Sequence, residues 1–328
     1  MKENILIAIN KHFSPSIILI VPYFGEWPVW FDAFLVSVKH NPTISWLCPT
    51  NCDIPSVHPE NISFIKTDLT DLNLKVNKVV NANVPLTPRK FCDLKPAYGK
   101  IFQEYISEFN FWGFTDLDII WGNIRKFINN EILTSNDIIS SRKNAISGHF
   151  TIIRNDEYFN NLFMQIPEYH EKLMVSKIQV CDEFHFTELL KDEVEKNNSK
   201  IAIYWPKVLL NEERKIDSHQ DYHLDRWLWR NGMVFNTISN KEVMYLHFIN
   251  WKVTMVKNEV RYEQPVDHFF ISYNGIHCKK HSRLQILINQ LKNIVFGYWV
   301  NDWKRKKKAK LVSFIKRIRS LLNKQINV

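Results

Sequence analysis

The 328-residue chain is poor in glycine, with eight residues, and it contains no long polar tract. Disordered chains and flexible linkers are rich in such sequence, so the composition argues against both. No apolar run is as long as a membrane-spanning helix. The five cysteines are odd in number and scattered, which suits a reducing compartment. Because Met1–Asn10 is short and mixed in character, we expect no secretory signal and a cytoplasmic protein.

Positive charge is concentrated at one end of the chain. The net charge is +9, and residues 301–328 hold ten Lys or Arg and one acid, Asp302. The remaining 300 residues hold 33 charges of each sign, so the body is neutral. A nucleic-acid-binding body would be expected to carry its own basic surface, and we therefore do not expect nucleic acid as a partner.

Short apolar runs alternate with a helical pattern in the first part of the chain. Ser16–Val21, Ile44–Cys48 and Ile62–Lys66 have the composition of strands, and Glu26–His40 has helical spacing between the first two. Thr67-Asp68 indicates the start of a further helix. The alternation predicts an α/β fold with a doubly wound, mostly parallel sheet and flanking helices.

Residues that follow the first two predicted strands are candidate ligand contacts. In open α/β sheets, ligands bind beyond the carboxyl ends of the strands. Tyr23, Phe24 and Gly25 follow the first strand, directly after Pro22, and Thr50 follows the second. We therefore expect a ligand to lie near these residues.

An aromatic and apolar run over residues 111–121 is interrupted by two acids, Asp116 and Asp118. The run indicates a buried strand, and residues i and i+2 of a strand project to the same side. Two carboxylates held that close repel each other unless a cation lies between them, and hard ions such as Mg²⁺ or Mn²⁺ prefer oxygen ligands. Isolated Asp-x-Asp triplets are common in surface loops, but the apolar context makes unpaired acids costly. We therefore predict a divalent metal site at these two acids.

Two further pairs of charged residues lie near predicted helix starts. Lys95 stands just before a helix predicted over Pro96–Phe109, where an anion would be stabilised. Asp93 is either a ligand contact or a helix cap, and Lys95 either meets an anion or is solvated. Asp182 and Glu183 lie near the start of another predicted helix, where acids act as capping residues or face a substrate.

His247 ends an apolar strand pattern over Glu242–Asn250, and Lys252 follows five residues later. A lone histidine in such a strand is usually a buried, hydrogen-bonded core residue. Beside the upstream Asp-x-Asp it becomes the natural third metal ligand. His219 and His223 also have a spacing that can bind metal on a helix, but the glutamate of the zinc protease motif is absent. We interpret that pair as part of a polar loop.

Together these segments resemble the metal-dependent nucleotide-sugar glycosyltransferases of the GT-A fold. More narrowly, the sequence looks like bacterial glycosyltransferases found with capsule and lipopolysaccharide genes, over roughly residues 15–255. Their central segment has the form Asp-x-Lys-Pro followed by Trp-Gly-x-x-Asp-x-Asp-x-x-x-Gly. The matching residues here are Asp93, Lys95, Pro96, Trp112, Gly113, Asp116, Asp118 and Gly122.

The resemblance implies a role for each part of the site. Asp116 and Asp118 would hold Mn²⁺ or Mg²⁺ against the donor diphosphate. His247 would be a further metal ligand, and Lys252 would contact the phosphate. The donor, a UDP- or GDP-sugar, is expected near a larger set of residues, namely Pro22, Tyr23, Phe24, Gly25, Thr50, Asp93 and Lys95.

The expected reaction is transfer of the sugar to a glycan or lipid-linked acceptor in bacterial surface polysaccharide synthesis. An inverting reaction needs a carboxylate base, for which Asp182 and Glu183 are the candidates, whereas a retaining reaction needs none. One alternative is a metal-dependent hydrolase or phosphatase, which usually has more ligands around two metals. Another is a non-catalytic module that binds nucleotide sugars.

We expect a GT-A domain over residues 1–280 and a helical, basic tail over residues 281–328. In a helix, the apolar residues of the tail share one face and basic residues occupy the rest, which is typical of a helix that binds anionic membrane surfaces. The alternative is a helix packed on the body or on an oligomer partner. The expected location is cytoplasmic and peripheral, at the inner face of the cytoplasmic membrane. The apolar residues of this face are Leu311, Phe314, Ile315, Ile318, Leu321 and Leu322.

Overall fold

The computed structural model describes residues 14–196, 201–205, 224–248, 252–297, 300, 303–304, 306–308 and 310–312. The predicted loop at His219 and His223 and most of the predicted tail helix lie outside these residues. Over the described part of the chain, every helix is too short or too polar to cross a bilayer.

The strands are β1 (Ile17–Ile20), β2 (Ile44–Thr50), β3 (Ile62–Lys66), β4 (Phe111–Thr115), β5 (Ile119–Trp121), β6 (Ile138–Ser140), β7 (Phe150–Arg154), β8 (Ile203–Tyr204), β9 (Trp227–Arg230), β10 (Met233–Asn236), β11 (Glu242–Val243), β12 (Tyr245–His247), β13 (Lys257–Asn258), β14 (His268–Ser272) and β15 (Gly275–His277). The α-helices are α1 (Phe31–Lys39), α2 (Leu69–Val80), α3 (Tyr98–Ile101), α4 (Gln103–Ile106), α5 (Ile124–Phe127), α6 (Asn130–Ser135), α7 (Glu157–Asn161), α8 (Tyr169–Met174), α9 (Phe186–Glu195) and α10 (Arg283–Phe296). Lys90–Ala97, Leu162–Gln165 and Leu224–Arg226 form 3₁₀ turns, and Cys181–His185 forms a π-helical turn.

Within the described residues, the central sheet has seven strands in the order β3-β2-β1-β4-β7-β6-β8. All of its pairings are parallel except those of β7 with β4 and β6. Strand β1 is buried on both faces, with Ile17 and Leu19 in one hydrophobic core and Ile18 and Ile20 in another. Such two-sided burial is typical of a parallel sheet covered by helices. The predicted α/β class, with a mostly parallel sheet and flanking helices, is confirmed.

Local signals explain where the helices begin. The side chain of Asp68 accepts hydrogen bonds from the backbone N–H groups of Thr70 and Asp71, so the predicted start of α2 is confirmed. Helix α1 begins at Phe31 rather than at Glu26, because Pro28 disfavours helical backbone in the residue before it.

The predicted continuous helix over Pro96–Phe109 is wrong. Pro96 lies inside a 3₁₀ turn, and two four-residue helices follow it. Proline lacks an N–H and clashes with the preceding turn of an α-helix, which favours a short 3₁₀ segment instead. As a result, Lys95 lies within the turn and is 4% exposed, rather than standing before a helix start.

A second sheet, which the sequence interpretation did not include, has the strand order β11-β10-β9-β14-β15-β13. It packs against the same core as the central sheet, where the indole N–H of Trp229 donates to the carbonyl oxygen of Trp121 at 3.0 Å. Two Asn-Gly turns indicate its hairpins. Asn231 and Gly232 both have positive φ, as a tight two-residue hairpin requires. Tyr273 and Asn274 connect β14 to β15, which begins at Gly275, also with positive φ.

Candidate metal and ligand site

Asp116 and Asp118 follow β4 directly, in the short link between β4 and β5. Because β4 runs parallel to β1, these acids lie at the same sheet edge as the residues that follow β1. The side chain of Asp116 is 35% exposed, whereas that of Asp118 is 8% exposed. Trp30 fixes the link by donating its indole N–H to the carbonyl oxygen of Leu117 at 3.1 Å.

Strand pairing brings His247 to the two acids. Strand β12 pairs antiparallel with β5, and His247 lies opposite Ile119 in the register. The pairing is extended by the N–H of Phe248, which donates to the carbonyl oxygen of Asp118 at 2.7 Å. His247 Nε2 then lies 3.3 Å from Asp118 Oδ1 and 4.0 Å from Asp116 Oδ2.

The three side chains form a donor set that fits a divalent ion. One donor atom from each of Asp116, Asp118 and His247 lies within 4.8 Å of the others. Among the described residues, Nδ1 of the buried His247 has no hydrogen-bond partner, and Nε2 faces the carboxylate oxygens of Asp118 and Asp116 without good hydrogen-bond geometry. A buried polar atom without a partner is costly, and coordination to a metal ion would satisfy it. Two carboxylates and one imidazole suit a divalent ion that accepts both oxygen and nitrogen.

Each carboxylate also has a lysine of its own. Lys95 Nζ lies 2.7 Å from Asp116 Oδ1, and Lys252 Nζ lies 2.8 Å from Asp118 Oδ2. Lys95 is buried and also donates to the carbonyl oxygen of Gly148 at 2.5 Å, whereas the side chain of Lys252 is 48% exposed. The two acids therefore form separate ion pairs, but they share His247 and border an open cavity.

The charges set the protonation of these groups. Burial acts to raise the pKa of the Asp118 carboxyl, but His247 and Lys252 lower it well below its usual range. Burial acts to lower the pKa of Lys95, but the carboxylate of Asp116 raises it well above the usual value, with smaller contributions from Cys92 and Asp182. Asp118 is therefore ionised and Lys95 is charged at neutral pH.

A cavity of about 360 Å³ opens beside the acids. It brings together most of the residues predicted to contact the donor or the metal, namely Pro22, Tyr23, Phe24, Lys95, Asp116, Asp118 and Lys252. Trp30, Phe91, Cys92 and Tyr98 also line it and were not singled out from the sequence. Tyr23 stacks on Trp27, with ring centroids 5.6 Å apart, which gives this wall a rigid aromatic surface.

Three predicted donor contacts do not line the cavity. Asp93 is fully buried, pairs with Lys90 at 2.9 Å and accepts hydrogen bonds from the N–H groups of Gln179 and Cys181. Its carboxylate therefore anchors the start of the π-helical turn, which is a structural role different from capping a helix that begins at Pro96. Thr50 is buried and accepts from the N–H of Cys52, and Gly25 donates to Asn51.

Asp182 lies in the π-helical turn directly behind Lys95. Its Oδ2 is 3.8 Å from Lys95 Nζ, and the residue is 6% exposed. The preceding Val180 has φ 60°, a left-handed conformation that is unusual for a β-branched residue. Strained backbone and π-helical turns are both frequent at functional sites. Burial raises the pKa of Asp182 to about 7, with Lys95 opposing the shift and Glu183 and Asp116 adding to it.

Glu183 is held more firmly than Asp182. Its Oε1 accepts from the N–H of Gly148 at 3.0 Å, and its Oε2 lies 3.7 Å from Arg142. A side chain at Gly148 would place its Cβ 2.8 Å from Asp182 Oδ2 and 2.9 Å from Glu183 Oε1, so glycine allows both carboxylates to approach this backbone. Neither acid lines the cavity.

His149 is a site residue that the sequence interpretation missed. Its ring stacks on that of His247, with centroids 4.1 Å apart and planes at 26°. Its Nε2 lies 2.8 Å from the hydroxyl of Tyr245, which donates in turn to Ser141 Oγ at 2.5 Å. No local sequence pattern indicates this residue, because its contact with His247 depends on the pairing of β7 with β4 and of β12 with β5.

Substitution of Asp118 by Asn tests the metal site. The change removes one charged ligand and leaves the fold intact, so we expect Mn²⁺ affinity to fall at least about tenfold, since even indirect partners of metal ligands matter on that scale. Electron paramagnetic resonance of free Mn²⁺ measures the affinity. The control is Asp71→Asn, at an exposed acid on α2, which should bind Mn²⁺ like the wild type. If Asp118→Asn bound Mn²⁺ as tightly as the wild type, this cluster would be excluded as the metal site.

Substitution of Asp182 by Asn tests its raised pKa. Between about pH 4 and pH 7 the unfolded state loses the Asp182 proton while the folded state retains it, so this group lowers stability as pH rises. We expect the free energy of unfolding of Asp182→Asn, relative to wild type, to increase across that range by on the order of 3 kcal/mol and then to level off. Urea denaturation at several pH values measures it. Asp192→Asn, at an exposed acid on α9, should show no such trend, and a pH-independent difference for Asp182→Asn would contradict the assignment.

Comparisons with known proteins match this chain to solved structures and to a protein family. A crystal structure of the galactosyltransferase LgtC in complex with donor and acceptor sugar analogs is 14% identical to this chain, with a TM-score of 0.33, and the match covers 50% of this chain and 68% of that one. The curated proteins contain no match. A family model described as a family of unknown function, DUF6625, matches residues 19–280. The chain therefore belongs to the DUF6625 family.

Proposed function

We propose that this chain is a glycosyltransferase, which moves a sugar from a nucleotide-sugar donor to an acceptor hydroxyl. The observation that carries the proposal is the cluster of Asp116, Asp118 and His247 at the border of a cavity at the carboxyl edge of the sheet. A donor diphosphate needs concentrated positive charge. Lys95, Lys252 and a divalent ion would supply that charge at one point of the cavity wall.

We place the donor base and ribose against the wall that follows β1. Tyr23 and Phe24 line the cavity, and the stacking of Tyr23 on Trp27 keeps its ring in place. Aromatic surfaces of this kind bind planar ligands with little loss of side-chain freedom. Thr50 and Gly25 support this wall rather than touch the donor. Thr50 forms an isolated β-bridge with Tyr23, and the N–H of Gly25 donates to Asn51.

We propose Mn²⁺ or Mg²⁺ as the ion held by Asp116, Asp118 and His247. The imidazole favours Mn²⁺, because Mg²⁺ prefers a shell made of oxygen ligands. When bound, the ion stabilises negative charge on the leaving diphosphate. Lys252 is half exposed, so its ammonium can leave Asp118 and contact a phosphate, whereas the buried Lys95 holds Asp116 in place.

For an inverting reaction, we propose Asp182 as the group that accepts the proton of the acceptor hydroxyl. A carboxyl with a pKa of about 7 can exchange a proton near neutral pH, whereas Glu183 is held by Gly148 and Arg142. Because Asp182 is not in the cavity wall, this role requires the acceptor to reach the side of Lys95 opposite the donor. A retaining reaction would need no such base.

We further propose a glycan or lipid-linked acceptor in bacterial surface polysaccharide synthesis. The basic segment over residues 301–328 supports this placement, because anionic lipids attract such segments to the inner face of the cytoplasmic membrane. The neutral charge of residues 1–300 is the reason for proposing no nucleic acid partner.

A screen of UDP- and GDP-sugars for donor cleavage, with and without Mn²⁺, tests the proposal. We expect one donor to yield nucleoside diphosphate and free sugar slowly in the presence of Mn²⁺, and faster when the correct acceptor is added. Asp116→Ala should lose this cleavage, because the ion and Lys95 both depend on that carboxylate. Asp71→Ala, at an exposed acid, should retain it.

The products separate the alternatives. Nucleoside monophosphate with sugar phosphate would indicate a hydrolase that cleaves the phosphoanhydride bond of the donor. Binding of a donor without any cleavage would indicate a non-catalytic module. Wild-type turnover in Asp116→Ala would refute the proposed site.

A further inference from the structure

Helix α10 presents most of its apolar side chains to solvent, whereas two polar residues, Gln285 and Asn289, lie on the side that faces the protein. Asn289, which is 1% exposed, donates to the carboxylate of Asp225 at 3.2 Å, and Gln285 donates to Asn289 at 2.9 Å. The opposite face carries six apolar residues that are between 37% and 69% exposed, namely Leu284, Leu287, Ile288, Leu291, Ile294 and Val295. Surface helices normally have the reverse arrangement, with the apolar side against the core.

The polar contacts fix this helix on the second sheet. Asp225, which precedes β9, also lies 3.0 Å from the Nδ1 atom of His281, one residue before the N-cap Ser282. Asn289 thus lies in a buried network with Asp225 and His281. Because this network holds α10 in place, the outward apolar residues contribute little to its attachment. A continuous apolar face of this size on a protein surface indicates a binding surface.

The charges around this face indicate what binds it. Lys279, Lys280, Arg283 and Lys292 are exposed, and residues 279–301 contain no acid. Residues 279–328 as a whole contain 14 Lys or Arg and a single acid. A second copy of this chain docked on the same face would bring two strongly positive surfaces together. An anionic bilayer instead offers an apolar interior next to negative headgroups.

We propose that the outward face of α10 lies in the surface of an anionic lipid bilayer. The six apolar side chains enter the boundary of the acyl chains, and the flanking lysines and Arg283 contact the headgroups. This surface is distinct from segment 301–328, and the inference does not depend on the chemistry proposed for the acidic site. Since the Asp225–Asn289 contact joins α10 to the turn that precedes β9 of the second sheet, the bilayer contact also fixes how the body is oriented on the membrane.

Flotation of the full-length protein with lipid vesicles tests the proposal. The variant is Leu287→Gln with Leu291→Gln, and the matched control is Leu74→Gln with Ile238→Gln, at two apolar residues that are 70% and 69% exposed on other surfaces. We expect wild type and control to bind vesicles that contain phosphatidylglycerol, and to bind phosphatidylcholine vesicles poorly. The partition coefficient of the α10 variant should fall at least about tenfold.

Several outcomes would overturn the proposal. Wild-type binding by the α10 variant would show that segment 301–328 carries the whole interaction. If the wild type bound phosphatidylcholine vesicles as well as those that contain phosphatidylglycerol, the proposed contact with anionic headgroups would be wrong. A shift from dimer to monomer in the variant, seen by analytical ultracentrifugation without a change in vesicle binding, would assign this face to a second copy. Circular dichroism, together with the Mn²⁺ affinity of each variant, verifies that the body and the acidic site are intact.

Discussion

Two carboxylates at a mostly buried sheet edge have to be neutralised, and the rest of the site depends on how this is done. Asp118 is almost completely buried and ionised, so it requires positive charge within hydrogen-bonding distance. Lys252 supplies that charge from the exposed side, and Lys95 supplies it to Asp116 from the buried side. The exposed lysine can move away and the buried one cannot, so the site can exchange one of its cations for another without losing its shape.

The fold brings these groups together from distant parts of the sequence. Strand β4 places the acids at the carboxyl edge, and the pairing of β12 with β5 brings His247 beside them across more than a hundred residues. The ring of His149 stacks on the ring of His247 and fixes the orientation of the His247 imidazole. Orientation of a ligand by its neighbours is a common requirement of metal sites. The second sheet packs on the same core and supports β5 through the Trp229–Trp121 contact, so it contributes to the site without lining it.

Local pattern was sufficient to predict the α/β class and the position of the two acids, because alternation along a strand is encoded in adjacent residues. It also indicated His247, since an apolar strand ending in a histidine is conspicuous beside an upstream Asp-x-Asp. The burial of Lys95 and the anchoring role of Asp93 could not be predicted, because both depend on which segments pack against the 3₁₀ turn. The second sheet was not predicted, although the sequence contains the Asn231-Gly232 turn. Two short strands around one turn are weak evidence for a sheet, because an isolated hairpin is barely stable until a third strand pairs with it.

We propose above all that a divalent ion held by these acids neutralises the negative charge of a nucleoside diphosphate. Isothermal titration calorimetry of the full-length protein with UDP and with GDP, in the presence and absence of Mn²⁺, measures this most directly. At least one nucleotide should bind at least about tenfold more tightly when Mn²⁺ is present, a difference of about 1.4 kcal/mol. Equal affinity with and without the ion, for both nucleotides, would contradict the account.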